Sequence, residues 1–187
     1  MNKQLIFYRE WLPLDKNKFR ILAMLADKGQ FCGNLSDLCR YFSLNPQTHT
    51  RNQLRESIRE LTEPGFIESR LQGRTYTLQA VPKEEKLEIL RPWFERLKAH
   101  DYHSESVAWE QVLKVYLWIS ANTAPVVTND KIAAALRISV STIGCAKNVL
   151  QREYEAITRR KVSEKVGEDF FQTIGQELTA TAWWSNG

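Results

Sequence analysis

The chain has 187 residues, with 26 Lys and Arg against 22 Asp and Glu, a formal charge of +4 and 43% apolar residues. This is ordinary globular composition, which excludes a disordered, collagen-like or acidic-tail protein. Only 8 Gly and 6 Pro are present, so a glycine-rich β sandwich is disfavoured and helix is the first expectation.

No run of about 18 apolar residues exists, so no segment is expected to span a membrane. Residues 1–14 mix apolar side chains with Lys3, Arg9 and Glu10 and lack the features of a signal peptide. Cys32, Cys39 and Cys145 form no CxxC pair, and an odd count argues against a disulfide framework. The expected location is the cytoplasm.

Residues 2–12 have strand-like composition and read as a short strand or arm before Pro13 and Asp15. From Lys16 to Asp27, Phe19, Ile21, Leu22, Met24, Leu25 and Ala26 predict a helix stopped at Gly29. Phe31-Cys32-Gly33 suffices for a bridging strand. Asn34 or Ser36 caps a second short helix carrying Leu38, Tyr41 and Phe42. Asn45 reads as the next N-cap, with Pro46 at the first helical position, where its missing N–H costs nothing. That helix runs to about Thr62 and is ended by Pro64-Gly65. Phe66–Leu71 and Thr75–Leu78 then flank Gln72-Gly73-Arg74 as a β-hairpin.

Lys83 to His100 is amphipathic along Leu87, Leu90, Phe94 and Leu97 and predicts a helix, kinked or divided at Pro92. Ser104 caps an expected helix from Glu105 to about Ala121. Thr128-Asn129 opens a short helix with Ile132, Ala133 and Leu136. A turn at Arg137-Ile138-Ser139 leads into a helix from about Val140 to Arg152. In the tail, Tyr154–Val162 and Thr179–Trp184 read as strands of a longer hairpin, with Phe170 and Phe171 in its connection.

The stretch Lys131 to Leu150 (KIAAALRISVSTIGCAKNVL) resembles the helix-turn-helix of bacterial DNA-binding proteins. Small Ala133 permits close helix approach, Leu136 and Ile138 plug the interface, and Ile143 and Leu150 anchor the second helix. Arg137 departs from the pattern, which prefers Gly there. With the order helix, strand, helix, turn, helix, hairpin in the first half, the chain resembles the bacterial winged-helix superfamily, with two such units in tandem. The resemblance implies a mainly α architecture with small β-hairpin wings, an α+β class. Its divisions are an N-terminal winged helix at 1–82, a helical connector at 83–104 and a C-terminal winged helix at 105–187.

With Ile143 and Leu150 inward, a 3.6-residue period turns Ser141, Gly144, Cys145, Asn148 and Arg152 outward, toward a major groove in the implied fold. Asn148 offers adenine a bidentate amide, and Ser141 or Thr142 a hydroxyl for a phosphate or base edge. Lys147 lies nearer the buried stripe. In the first half, burial of Leu54, Ile58 and Leu61 exposes Thr48, His49, Asn52, Arg55, Glu56 and Arg59. Arginines one turn apart, with Asn52 among them, suit guanine and adenine edges and flanking phosphates. The plain alternative is a solvated helix face whose Glu56 and Arg59 are neighbours. Wings of this superfamily touch the sugar-phosphate backbone or enter the minor groove. The resemblance assigns that role to Arg70 and Arg74, and in the second unit to Arg159, Arg160 and Lys161 with Lys165.

Charge divides unevenly. Residues 1–82 carry 12 basic and 8 acidic side chains, residues 83–128 carry 6 and 7, and residues 129–187 carry 8 and 7. The middle, with Trp93, Phe94, Trp109 and Trp118, is therefore a packing or dimerisation element and not a phosphate binder. The expected partner is double-stranded DNA, with a homodimer formed through the middle helices. The expected function is sequence-specific binding by a transcription regulator. The superfamily also contains replication initiators of plasmids and mobile elements, and protein–protein adaptors. No phosphate loop, dinucleotide fingerprint or HExxH is present. His100 and His103 lack a third ligand nearby. No cofactor, metal site or catalytic residue is expected, and the chain is not read as an enzyme.

Overall fold

The computed structural model describes residues 4–102, 105–122, 128–152, 157–161 and 169–173. Helices alternate with small antiparallel sheets, an α+β architecture in two compact units. One comprises Leu5–Trp11 with Asp15–Lys86, and the other the chain from Leu87 with Leu12–Leu14.

In the first unit, β1 (Gln4–Tyr8) buries Leu5 and Phe7 and exposes Gln4 and Ile6, the alternation of a half-covered strand. A short 3-10 turn, Arg9–Trp11, follows. Helix α1 (Lys16–Lys28) starts at Asp15, whose carboxylate accepts from the amides of Asn17 and Lys18 at 3.0 and 3.1 Å. It ends at Gly29, whose φ of +77° is a conformation glycine adopts without steric cost. After β2 (Gln30–Gly33), Asn34 and Asp37 form a reciprocal capping box on α2 (Leu35–Tyr41). Helix α3 (Thr48–Thr62) leads to the hairpin β3 (Ile67–Gln72) and β4 (Thr75–Ala80). The sheet order is β2-β4-β3, all antiparallel, with Phe31 and Ser69 on either side of Leu78. Phe7 packs on Trp11 and Phe19 with ring centroids 6.0 and 6.1 Å apart. Leu22, Leu25, Leu38, Leu54, Ile58, Leu61, Ile67 and Leu78 complete the core. Helix, strand, two helices and a hairpin around this core are the elements of a winged helix.

One expected boundary moves. The third helix starts at Thr48, two residues beyond Pro46, and its N-cap Gln47 makes no side-chain cap bond. Ser43 turns at φ +54°, the Leu44 amide bonds the Cys39 carbonyl at 2.8 Å, and the Asn45 carbonyl accepts from the Gln47 amide at 2.8 Å. The helix therefore begins past Pro46, and Gln47, not Asn45, holds the N-cap position.

In the second unit, the expected helix over 83–100 is two elements: strand β5 (Lys86–Leu90) and helix α4 (Arg91–Ala99), with Pro92 in the first turn. Leu87 and Ile89 are buried between exposed Lys86 and Glu88, so the period there is two. Pro92 is tolerated where no helical N–H is needed. Helix α5 (Trp109–Ala121) starts four residues later than expected, where the Gln111 carboxamide oxygen accepts from the Ala108 amide at 2.8 Å; Ser104 lies outside the described residues. Helices α6 (Asn129–Leu136) and α7 (Val140–Arg152) follow, and Thr128 caps α6 as expected. Helix α7 packs on α5 and α6 through Ile143, Ala146, Val149 and Leu150, all fully buried. Strands β6 (Ile157–Lys161) and β7 (Asp169–Thr173) pair antiparallel, placing Phe171 opposite Arg159 and Phe170 opposite Arg160. The two phenylalanines therefore belong to a strand and not to a connection. Thr179–Trp184 lies outside the described residues. No helix among the described residues is long and apolar enough to cross a membrane.

Candidate nucleic-acid interface

Helix α3 turns Leu54, Ile58 and Leu61 into the core, and this fixes what faces away. Thr48, His49, Asn52, Arg55, Glu56 and Arg59 are all exposed. Their arrangement separates two arginines that the spacing treats alike. Arg55 donates from Nη1 to Asn52 Oδ1 at 2.9 Å, a neutral partner that leaves its charge unanswered. Arg59 instead grips two carboxylates. Its Nε donates to Glu56 at 3.1 Å, its Nη2 donates to the same carboxylate, and its Nη1 donates to Glu63 at 2.6 Å. Hydrogen bonding to Arg59 holds the Glu56 carboxyl below its ordinary range, and the Glu56 carboxylate raises the Arg59 guanidinium in turn. Spacings of three and four residues on a helix place such pairs in reach. The neighbouring Lys18 is also neutralised, by Asp15 at 2.9 Å and Glu60 at 2.7 Å.

The hairpin beside α3 carries Arg70 in β3, opposite Thr77, and Arg74 in the turn next to Gly73. Both are exposed, and among the described residues neither belongs to an ion pair. The glycine holds φ +60°, which lets two residues reverse the chain.

Helix α7 differs in kind. Its N-terminus is organised by Ser139, whose Oγ accepts from the Thr142 amide at 3.1 Å. The same oxygen meets the hydroxyls of Ser141 at 2.9 Å and Thr142 at 2.7 Å. By spacing alone, Ser139 falls in the turn. The legible signal was a serine three residues ahead of the amide it caps. Arg137 closes that turn in the left-handed region, φ 54° and ψ 43°, so the turn forms without the glycine the pattern prefers. Ser141 and Asn148 are exposed, and Thr142, Gly144 and Cys145 are half-buried. A Cβ added at Gly144 would meet nothing within 4 Å. Arg152 is exposed and donates to Glu105 at 2.5 Å. Lys147 is buried, and its ammonium donates to Asn129 Oδ1 at 2.7 Å, so it does not reach outward at all.

Arg159, Arg160 and Lys161 fall in β6, but their side chains lie outside the described part of the chain, as do Lys165 and His103. In the middle segment Trp93 stacks near Tyr116 with centroids 4.3 Å apart, and Phe94 meets Trp109 edge-on at 5.9 Å. Trp93 and Phe94 are core residues. Among the described residues no three His, Cys, Asp or Glu side chains gather closely enough to hold a metal ion.

No known protein family matches the sequence, and no curated protein does. Among solved structures the chain is similar to the crystal structure of ScpB from Mycobacterium tuberculosis, with 15% sequence identity over 86% of this chain and 92% of that one. The TM-score is 0.28, a likeness too loose to carry any conclusion about function.

Proposed function

We propose that this chain is a sequence-specific duplex DNA-binding protein of the transcription-regulator type, built from two winged-helix units and carrying no catalytic site. Helix α3 enters a major groove with Asn52 and Arg55 toward base edges, and α7 enters one with Ser141 and Asn148. Arg70 and Arg74 meet the sugar-phosphate backbone, and the basic strand Arg159-Arg160-Lys161 does likewise in the second unit. A homodimer through the α4–α5 region would double these contacts.

The observation that carries this reading is the outward face of α3. Between a turn and a hairpin, it exposes an asparagine and an uncompensated arginine one turn apart. That pair matches the donor and acceptor pattern of purine edges. The modest net charge of +4 makes non-specific attraction weak, so base contacts must supply most of the discrimination.

Selection from a random duplex pool tests the proposal. One motif should be enriched, its affinity should fall steeply with added salt, and an Asn52→Ala, Arg55→Ala double variant should lose the preference for it. A pool without enrichment overturns the reading. Neutralisation of Arg59 and Lys18 by carboxylates favours one competing role, a protein–protein adaptor. Salt-insensitive association with a protein, and no retention on DNA, would select it. Enrichment of directly repeated sites, together with recruitment of a helicase, would instead make the chain a replication initiator.

A further inference from the structure

Resting on the placement of α3 in a major groove, we propose that the β3–β4 hairpin wedges Leu71 between stacked base pairs and bends the duplex, while Arg70 and Arg74 hold the phosphates beside it.

The argument starts from the two faces of the hairpin. Ile67, Ser69 and Leu71 share one face of β3, opposite Ala80, Leu78 and Tyr76 of β4. At its base this face is core: Ile67 is 2% exposed and Leu78 fully buried. One pair further on, Ser69 Oγ accepts from Thr62 Oγ1 at 3.0 Å, which marks the end of α3 as its cover. Two residues beyond that bond, Leu71 is 57% exposed, the most exposed of the large apolar side chains among the described residues. The apolar row thus continues past the helix that covers it. The ribbon then closes at Gln72 opposite Thr75, with a two-residue turn.

An exposed leucine alone means little, since single surface apolar residues are common. Here its surroundings select the partner. From Ser69 to Pro82 the chain contains Arg70 and Arg74 and no acidic residue. Neither arginine is drawn away by an ion pair among the described residues. An exposed apolar side chain one pair short of the turn, with available cations at Arg70 beside it and Arg74 in the turn, fits a surface that offers anions along rails and apolar planes between them. A DNA duplex is such a surface, with phosphates on each strand and base faces in the stack. Apolar side chains inserted at a base step partly unstack it and kink the helix axis by about 20–90°. An acidic protein groove would satisfy the arginines, but it would not require the leucine to stand exposed beside the turn of a narrow ribbon.

The test uses the full chain on its selected site, with fluorophores at the two duplex ends and 2-aminopurine at candidate steps. Binding by the wild type should shorten the end-to-end distance and raise the 2-aminopurine signal at one step. Leu71→Ser should retain the site with a melting temperature unchanged, yet lose most of the bend and the unstacking signal. Leu71→Met should keep both. Arg70→Ala and Arg74→Ala should weaken all sequences alike and lower the salt dependence by about one counterion each. A wild-type complex with straight DNA, or a Leu71→Ser complex as bent as the wild type, overturns the wedge and leaves the α3 reading intact. Failure of the wild type to retain any duplex overturns both.

Discussion

On α3 the outward side chains are long and charged, and they hold one another: Arg59 bridges Glu56 and Glu63 while Arg55 rests on Asn52. On α7, apart from Arg152 at its end, they are short, and a cluster of three hydroxyls sets the start of the helix. The beginnings of the two helices differ in the same sense. Helix α3 begins at Gln47 with no side-chain cap, whereas α7 begins at a capping serine two residues after the left-handed Arg137. If both helices read DNA as proposed, the contrast teaches that one does so by leaving a charge unanswered and the other by keeping the backbone bare. The first depends on which carboxylates lie within reach. The second depends on an absence of bulk. Net charge reports neither.

The largest effect should come from the two amide and guanidinium positions. Arg55→Ala should cost about 1–3 kcal/mol of discrimination at one base pair, since a good bidentate contact is worth that much. Asn148→Ala should cost a similar amount at a different base pair. Titrations on single-base variants of the selected site check both. If Asn148→Ala binds every variant as the wild type does, only α3 reads sequence and the symmetry between the helices is lost.

Next in size is the difference between the two helix starts. Ser139→Ala removes an oxygen that accepts from a backbone amide, a loss of about 0.5–2 kcal/mol. Gln47→Ala removes no such bond and should leave the melting temperature where it was. Thermal unfolding of the two variants decides whether α7 owes its position to its cap.

Gly144→Ala should act in opposite directions on folding and on binding. The glycine sits inside α7 with no neighbour near an added Cβ and no positive φ, so alanine should stabilise the fold by about 0.5–1 kcal/mol. If a duplex lies against this face, the same methyl should weaken the complex. A higher melting temperature with unchanged affinity would show that nothing approaches α7 there.

Much of this architecture can be read from local chemistry. Gly29 as a helix stop, Asn34 with Asp37 as a cap, Gly73 in a two-residue turn and Thr128 ahead of α6 each act within a few residues. The outward faces of α3 and α7 follow from the period of their buried leucines and isoleucines. The misreadings arise where two local rules compete. Leu87, Leu90, Phe94 and Leu97 keep a helical spacing across a segment whose first half, with Leu87 and Ile89 buried, is a strand. Asn45-Pro46 has the residues of a helix start, but the chain turns there, the Asn45 carbonyl accepting from the Gln47 amide, and the helix begins only at Thr48. The division of labour between Arg55 and Arg59 was not legible either. Spacing shows that Glu56 and Glu63 lie within reach of Arg59, but not that one guanidinium engages both.

That division yields the smallest effect and the sharpest discrimination. Because Arg59 is answered by two carboxylates, its removal should take little positive charge away from a bound duplex. What it should do is release Glu56 and Glu63, with the Glu56 carboxylate, on the outward face, then turned to the phosphates without its partner. Arg59→Ala is therefore expected to weaken binding slightly and equally for all sequences. Adding Glu56→Gln should restore part of the loss, because one of the two carboxylates that Arg59 had engaged is gone while Glu63 remains. The same Glu56→Gln change should not rescue Arg55→Ala, whose defect is a missing base contact. Salt titrations of the four variants separate the cases. If Arg59→Ala alone lowers the salt dependence by about one counterion and alters preference at a single base pair, Arg59 is itself a groove contact, and its ion pairs open when DNA arrives.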